Sequence, residues 1–437
     1  MNGVAAPPAS QPSGWWRRVR NPAIWMPVAD TFAVLTAASL PWSTTLVSIF
    51  SACWLGAAAM TVGYPAYLRS LKRPMCAFPL ALFALAAIGT LWSEASWSAR
   101  LWSLGPAVKL LFLPGLFHHF QRSSRGMWVF AAFAISCALL MVLSWIVWFD
   151  PQFKITATAD AGVPVKNYID QTQEMALCLI AMAPFAWMLV REGRYGLAAL
   201  CSAVLAGFLA NLVFVAFART ALIYIPAMLL LFAIRYLSWR GTILLIGGAA
   251  VLAASIWWAS PFLRLRVGMV SSDYERYSRE NAVTSFGLRL EYWRKSFGFF
   301  MSAPLLGNGT GSTLDLFERA AAGQSGIGAE VIRNPHNQTL NVAVQWGVVG
   351  VALLWAMWIS HLMLFRGEGA AAWIGLLVVA QNILSSLTNS HLFDFHAGWM
   401  YVLGVGVAGG IMLKNGGSRD GKYASMTSFA LQESRSS

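Results

Sequence analysis

Residues 127–149 read MWVFAAFAISCALLMVLSWIVWF, an apolar run with no charged side chain before Asp150 closes it. At ~1.5 Å of rise per residue, a run of this length crosses the ~30 Å hydrocarbon core of a bilayer as one helix. Working outward, similar runs recur at 23–41, 44–63, 75–92 and 101–118 before it. After it come 172–190, 195–214, 219–234, 241–260, 337–365, 371–388 and 397–413. The sequence therefore predicts an all-α integral membrane protein with about twelve transmembrane helices. Composition agrees, with 57% hydrophobic and 11% charged residues and a mean hydropathy of +0.58. Soluble chains carry about 25% charged residues, and one this apolar could not cover its own surface.

The net charge of +13 is spread through short gaps between runs rather than gathered into a patch. That pattern argues against nucleic acid as a partner and reads as topology. With the N-terminus in the cytoplasm, gaps such as Arg69–Arg73, Arg122–Arg125 and Arg191–Arg194 lie inside, and with the tails they hold seventeen Lys and Arg. The short outer gaps hold four: Arg100, Lys154, Lys166 and Arg219. The positive-inside rule then places tails 1–22 and 414–437 in the cytoplasm, spans one to nine over 23–260, and spans ten to twelve over 337–413. The first span lacks the small-residue cleavage site of a removable signal and is expected to be retained. The polar tail from Lys414 is expected to be disordered. The five cysteines lie inside apolar runs with no CxxC pair, which suits small buried side chains and neither a disulfide framework nor a zinc site.

One long segment, 261–336, separates spans nine and ten and falls outside. Within it Phe286, Leu290, Trp293, Phe297 and Phe300 recur at helical spacing, and Glu291 precedes Lys295 by four. These spacings predict an amphipathic helix that lies on the membrane or caps the bundle.

Three polar residues fall at similar depth on that side: Arg219, Arg289 and His336. Two guanidiniums and an imidazole suit an anionic phosphate group and a base. Each has an ordinary competitor, since an arginine at a span end commonly anchors at the interface and a histidine at a helix start commonly caps. Lys109, in mid-span, either snorkels or pairs, or serves function. His391, Asp394 and His396 share the last outer loop, where a metal would need a further well-spaced ligand, and an acceptor entrance is the alternative. Gly307-Asn308-Gly309-Thr310-Gly311-Ser312 has no preceding strand and no following lysine, so it reads as a turn whose N–H groups could still meet a phosphate. Asp273 and Glu275 sit among Arg276 and Arg279 and read as ion pairs. No DxD motif is present, so the expected chemistry needs no metal and no cofactor.

Four pieces stand in a telling order. They are Ala218-Arg219-Thr220, then Gly287-Leu288-Arg289 with Trp293, then Leu306-Gly307-Asn308-Gly309, and then Pro335-His336-Asn337 with Gly347 and Gly350. Together they resemble the O-antigen ligase and polymerase superfamily of bacterial surface-glycan assembly, over roughly residues 210–355. The first 200 residues resemble it in hydropathy alone. The resemblance implies a GT-C-like bundle in the inner membrane with its active site facing the periplasm. It implies an undecaprenyl diphosphate-linked O-antigen donor and, for a ligase, a lipid A–core acceptor, both among membrane lipids. Arg219 and Arg289 would hold the diphosphate and His336 would be the base, with Asn337, Trp293, Lys109, His391 and His396 as accessory residues. A polymerase would instead take a second lipid-linked glycan. A protein O-oligosaccharyltransferase fits less well, because the outer loop has only about 75 residues. A transporter or flippase would show charges in a midplane cavity and broken helices in matched halves, whereas the spans carry only Asp30, Lys109 and Glu174.

Overall fold

The computed structural model describes residues 21–157, 160–261, 264–265, 268–269 and 284–416. Among them every regular element is helical. The first half comprises α1 (Pro22–Ser39), α2 (Thr44–Ala59), α3 (Tyr64–Ser70), α4 (Pro74–Ile88), α5 (Trp97–Val108), α6 (Phe112–Phe120) and α7 (Gly126–Phe149). Then follow α8 (Tyr168–Arg191), α9 (Tyr195–Phe214), α10 (Ala221–Tyr236), α11 (Trp239–Ala259), α12 (Ser285–Ser302) and α13 (Ser312–Ala321). The last are α14 (Gln338–Leu364), α15 (Ala370–Ser385) and α16 (Phe395–Glu433).

A helix falls on each of the twelve apolar runs, but seven qualify as membrane spans by length and hydropathy. The number rises to eight if α2 and α3, bent by 119°, form one span. Helices α4, α10 and α15 are apolar but short. Each lies on a run that hydropathy marks as a span, and the residues beyond it leave the helix. Thr90 and Ser93 after α4, Ala216 to Ala218 before α10, and Ser386, Ser390 and His391 after α15 are all buried in protein. Non-helical backbone is tolerated at such depth only where protein satisfies it.

α16 forms the centre of the bundle, with 83% of its apolar window buried, whereas that of α11 is not buried at all. Glycines allow the central packing. A Cβ at Gly406 would lie 2.6 Å from that of Leu116 on α6, and one at Gly410 2.5 Å from that of Phe120. Without a hydrophobic drive between helices in lipid, such close approach supplies the dispersion contacts. The tail beyond Gly416, which the sequence predicted to be disordered, lies outside the described residues.

α14 is not continuous. Gly347 has φ 60° and ψ −158°, which breaks the i→i−4 ladder and orphans carbonyls above and N–H groups below. Residues 303–312 supply the missing partners. Asn308 N–H donates to Val344 O at 2.9 Å, Gly309 N–H to Gln345 O at 2.9 Å, and Val348 N–H to Pro304 O at 2.8 Å. The other side of this plug meets α4, where Thr310 N–H donates to Gly89 O at 3.0 Å and Thr310 Oγ1 to Ala86 O at 2.6 Å. The glycines are required, since Gly307, Gly309 and Gly311 have φ of 68°, 86° and 87°. The GNGTGS stretch is thus a turn, but its N–H groups at 308–311 are spent inside the protein, the last on Gln345 Oε1 at 2.9 Å, and do not meet a phosphate.

α12 lies against α14, and its face differs from the one the spacing predicts. Tyr292, Lys295 and Ser296 are buried, while Phe297 stays 55% exposed. Tyr292 and Phe299 pack edge-on against Phe317 of α13. Glu291 pairs with Arg294 at 2.6 Å rather than with Lys295, because the Lys295 ammonium turns inward to Gly328 O at 2.5 Å. Of the stripe through Leu290, Trp293, Phe297 and Phe300, Phe297 is exposed and the other three are half-buried. Asp273, Glu275, Arg276 and Arg279 lie outside the described residues, as do Arg17, Arg18 and Arg20.

Candidate active site

His336 sits two residues before α14 with φ 54°, a left-handed conformation that costs a side chain of this type about 1–2 kcal/mol. Its surroundings enforce it. His336 N–H donates to Asn334 Oδ1 at 3.0 Å, and Asn337 caps the helix by accepting from Leu340 N–H at 3.0 Å. The whole segment is laced to the loop after α15, through Ser390 Oγ to Asn334 Oδ1 (2.6 Å), Asn337 Nδ2 to Leu387 O (2.9 Å) and Gln338 N–H to Ser386 O (3.0 Å). His336 therefore does not simply open the span. It stands on a strained turn with its ring held in place.

Arg289 and Tyr292 share one face of α12, and the Tyr292 ring lies 6.1 Å from that of His336. Burial lowers the Arg289 pKa from its ordinary range, Tyr168 opposes this, and the like charge of Arg219 adds to it. Burial also lowers the His336 pKa below the usual 6.5; Asn389 pulls the other way, and the Arg289 cation lowers it further. The fold thus places Arg289 within electrostatic reach of both Arg219 and His336. Arg219 rests in a turn fixed from below by Thr172. The Thr172 hydroxyl accepts from Ala218 N–H at 3.1 Å and donates to Ala216 O at 3.2 Å. The guanidinium Nη2 of Arg219 lies 3.3 Å from Met269 Sδ.

The accessory candidates divide. Lys109, in the 3-10 link between α5 and α6, does not snorkel. Its ammonium donates to Phe393 O at 3.2 Å and Asp394 O at 2.6 Å. His391 is buried and accepts from Gln173 Nε2 at 3.1 Å, and its pKa is pushed down to about 4, first by burial. His396 lies in the first turn of α16 rather than in the loop, and its Nδ1 meets Asp170 Oδ2 at 3.1 Å. These side chains therefore turn to separate partners, and among the described residues no three His, Cys, Asp or Glu converge as a metal site. Trp293 is half-buried on α12.

Sequence reading missed four residues that stand here: Asn389, whose Oδ1 is 2.9 Å from His336 Nδ1, and Asp170, Gln173 and Thr172. A signal existed for the last three. Asp170 to Glu174 are five successive polar residues at the mouth of an apolar run, and Gln171 to Glu174 are all buried. One turn below Glu174, an apolar cavity of about 260 Å³ opens between α1, α7, α8, α15 and α16, lined by Leu40, Phe130, Leu177 and Met400 among others. A second, of about 400 Å³, surrounds Lys109 with Trp102, Phe112 and Trp399.

Residues 203–355 match a family model described as O-antigen ligase. That segment is similar to the O-antigen ligase and polymerase superfamily. The matched segment runs from within α9 to within α14, so it contains Arg219, Arg289, His336 and the plug, but not Lys109, Asp170, Asn389 or Asp394. Members of this family are membrane enzymes of the ligase and polymerase type that act on lipid-linked polysaccharide. No curated protein matches the chain at a significant level.

Proposed function

We propose that this protein is an O-antigen ligase that transfers glycan from undecaprenyl diphosphate to lipid A–core at the periplasmic face of the bacterial inner membrane. The observation that supports the reading is that Arg289 stands within electrostatic reach of both Arg219 and His336, all three inside the family-matched segment. In the proposed step, an acceptor hydroxyl oxygen attacks the anomeric carbon of the donor. The bond from that carbon to the phosphate oxygen breaks and its electron pair leaves with the diphosphate. The hydroxyl proton passes to His336. Arg219 and Arg289 face the growing negative charge, which fixed cations in a low-dielectric site stabilise most in the transition state. Displacement in line inverts the anomeric centre. The apolar cavity beneath Glu174 offers a place for lipid chain.

The reading includes twelve spans and cytoplasmic termini. A reporter fused after Gly323 should then report the periplasm, and fusions after Arg194 or Arg240 the cytoplasm; cytoplasmic labelling at Gly323 overturns the mechanism.

A polymerase is the second reading, since it draws on the same family and a similar donor. A deletion strain separates them. Loss of a ligase leaves lipid A–core bare while long lipid-linked glycan accumulates. Loss of a polymerase leaves core that carries a single repeat.

A further inference from the structure

His336 Nδ1 lies 2.9 Å from Asn389 Oδ1, and Asn389 Nδ2 lies 3.0 Å from Asp394 Oδ2. An ionised carboxylate only accepts, so the amide nitrogen must face Asp394 and the amide oxygen must face the imidazole. An amide oxygen likewise only accepts. The imidazole nitrogen opposite it must therefore carry the proton, which leaves the lone pair on Nε2.

We infer that Asn389 is a positioning residue, held by Asp394, that fixes His336 in the Nδ1–H form and so presents Nε2 as the basic nitrogen. Its consequence for catalysis rests on the reading of His336 as the base; the tautomer itself does not. The anchoring is independent of the family-matched segment and comes from across the bundle. Asp394 is the residue just before α16, and its backbone carbonyl is held at 2.6 Å by the Lys109 ammonium. The loop that carries Asn389 is sewn to the His336 turn at Ser386, Leu387 and Ser390, so the amide cannot swing away without breaking three further hydrogen bonds. No other ring nitrogen in the site has this arrangement. His391 meets the amide nitrogen of Gln173 through its Nε2, and His396 meets a carboxylate through its Nδ1.

The test uses the full chain in nanodiscs, labelled with ¹⁵N-histidine, which gives six residues to resolve. The His336 resonances are those lost in His336→Gln. Wild type should show a protonated Nδ1 and a bare Nε2. Asn389→Ala should shift the population to Nε2–H and lower kcat by roughly 10- to 100-fold, no more than the low end of the ~10²–10⁴ that a positioned base contributes, with donor KM unchanged. Asn389→Asp still accepts from Nδ1–H, so it should keep the tautomer and retain more activity than the alanine variant. Transfer is measured with lipid-linked glycan extracted from the parent strain and with lipid A–core. An Nε2–H form in wild type, or an unchanged tautomer in Asn389→Ala, overturns the inference. If the alanine variant does not fold, the wild-type and Asn389→Asp spectra decide alone. If the tautomer is as expected while His336→Gln still transfers glycan, the base reading falls and the role of Asn389 in setting the tautomer stands.

Discussion

The ammonium of Lys109 sits 2.6 Å from the backbone carbonyl of Asp394, a residue 285 positions further along the chain. An ionisable group in mid-span is costly in lipid, and here two carbonyls from one loop receive it. Lys109→Met keeps the length and removes both bonds. Hydrogen bonds to charged groups are worth about 1.5–3 kcal/mol, so this variant should melt several degrees lower in detergent and transfer more slowly. Because the loop also carries Asn389, the rate should suffer more than donor affinity. An unchanged melting temperature would mean that the loop is held without it.

The break in α14 makes a second expectation. Gly347 has φ 60°, and a Cβ there would collide with the backbone of Leu305. Gly347→Ala should therefore destabilise by more than the ~1 kcal/mol of an ordinary helical glycine change, since both strain and the displaced plug contribute. Gly298, which has open space around it, is the control: Gly298→Ala should be neutral or stabilising. Monodispersity and thermal melts of the two variants check this. Equal behaviour would show that the plug yields.

At the site itself, binding and chemistry should separate. Arg219→Ala and Arg289→Ala each remove a charge-assisted contact of about 1.5–3 kcal/mol, and so should weaken donor binding by roughly 10- to 150-fold as well as slow transfer. Lysine should rescue them in part, because a point charge does not reproduce the bidentate fork. His336→Ala should abolish transfer and leave donor affinity nearly intact. Donor affinity that survives both arginine changes would make them interfacial anchors.

The dependence on pH follows from two groups that act in one direction. Burial, reinforced by Asp170 and opposed by Lys109, pushes the Asp394 carboxyl up to about 7. The ionised form holds Asn389, and that form is lost as pH falls. Burial and Arg289 hold His336 below 6.5, and its active neutral form is also lost as pH falls. Activity should accordingly begin to drop near pH 7 and fall more steeply below the His336 value. Asp394→Asn should remove the upper step and leave the lower one. A profile flat from pH 7.5 to 5.5 would refute the role of Asp394.

The helices and three polar residues of the site were legible because they depend on local pattern. Apolar runs mark their own positions, and Arg219, Arg289 and His336 stood out as charged or basic groups where the sequence is otherwise apolar. What could not be read comes from contacts across the chain. Asn389 lies 53 residues from His336 and is an ordinary loop asparagine until the two loops are laced together. The inward turn of Lys295 depends on Gly328, and the length of α4 depends on Thr310, neither of which leaves a periodic trace. The apolar spacing of α12 marks a face but not what covers it: Phe297 is exposed, whereas Leu290, Trp293 and Phe300 are half-buried.

The order in which the seam is made adds a constraint on assembly. α4 and its Gly89 carbonyl come first in the chain, then residues 303–312, and only afterwards the helix with the interruption at Gly347. Synthesis runs from the N-terminus, so the stopper and its seat already exist when the broken helix emerges from the ribosome. A straight helix over 338–364 would give each of its backbone groups a partner unaided; the interrupted one cannot, and its first nine residues can reach their final hydrogen bonding only after the preceding loop has crossed to α4. A circularly permuted chain that delivers α14 before residues 303–312 should therefore leave the membrane insertion machinery with exposed backbone, and should be recovered at lower yield than one cut in the turn at 366–369, which keeps α4, the loop and α14 in their native order.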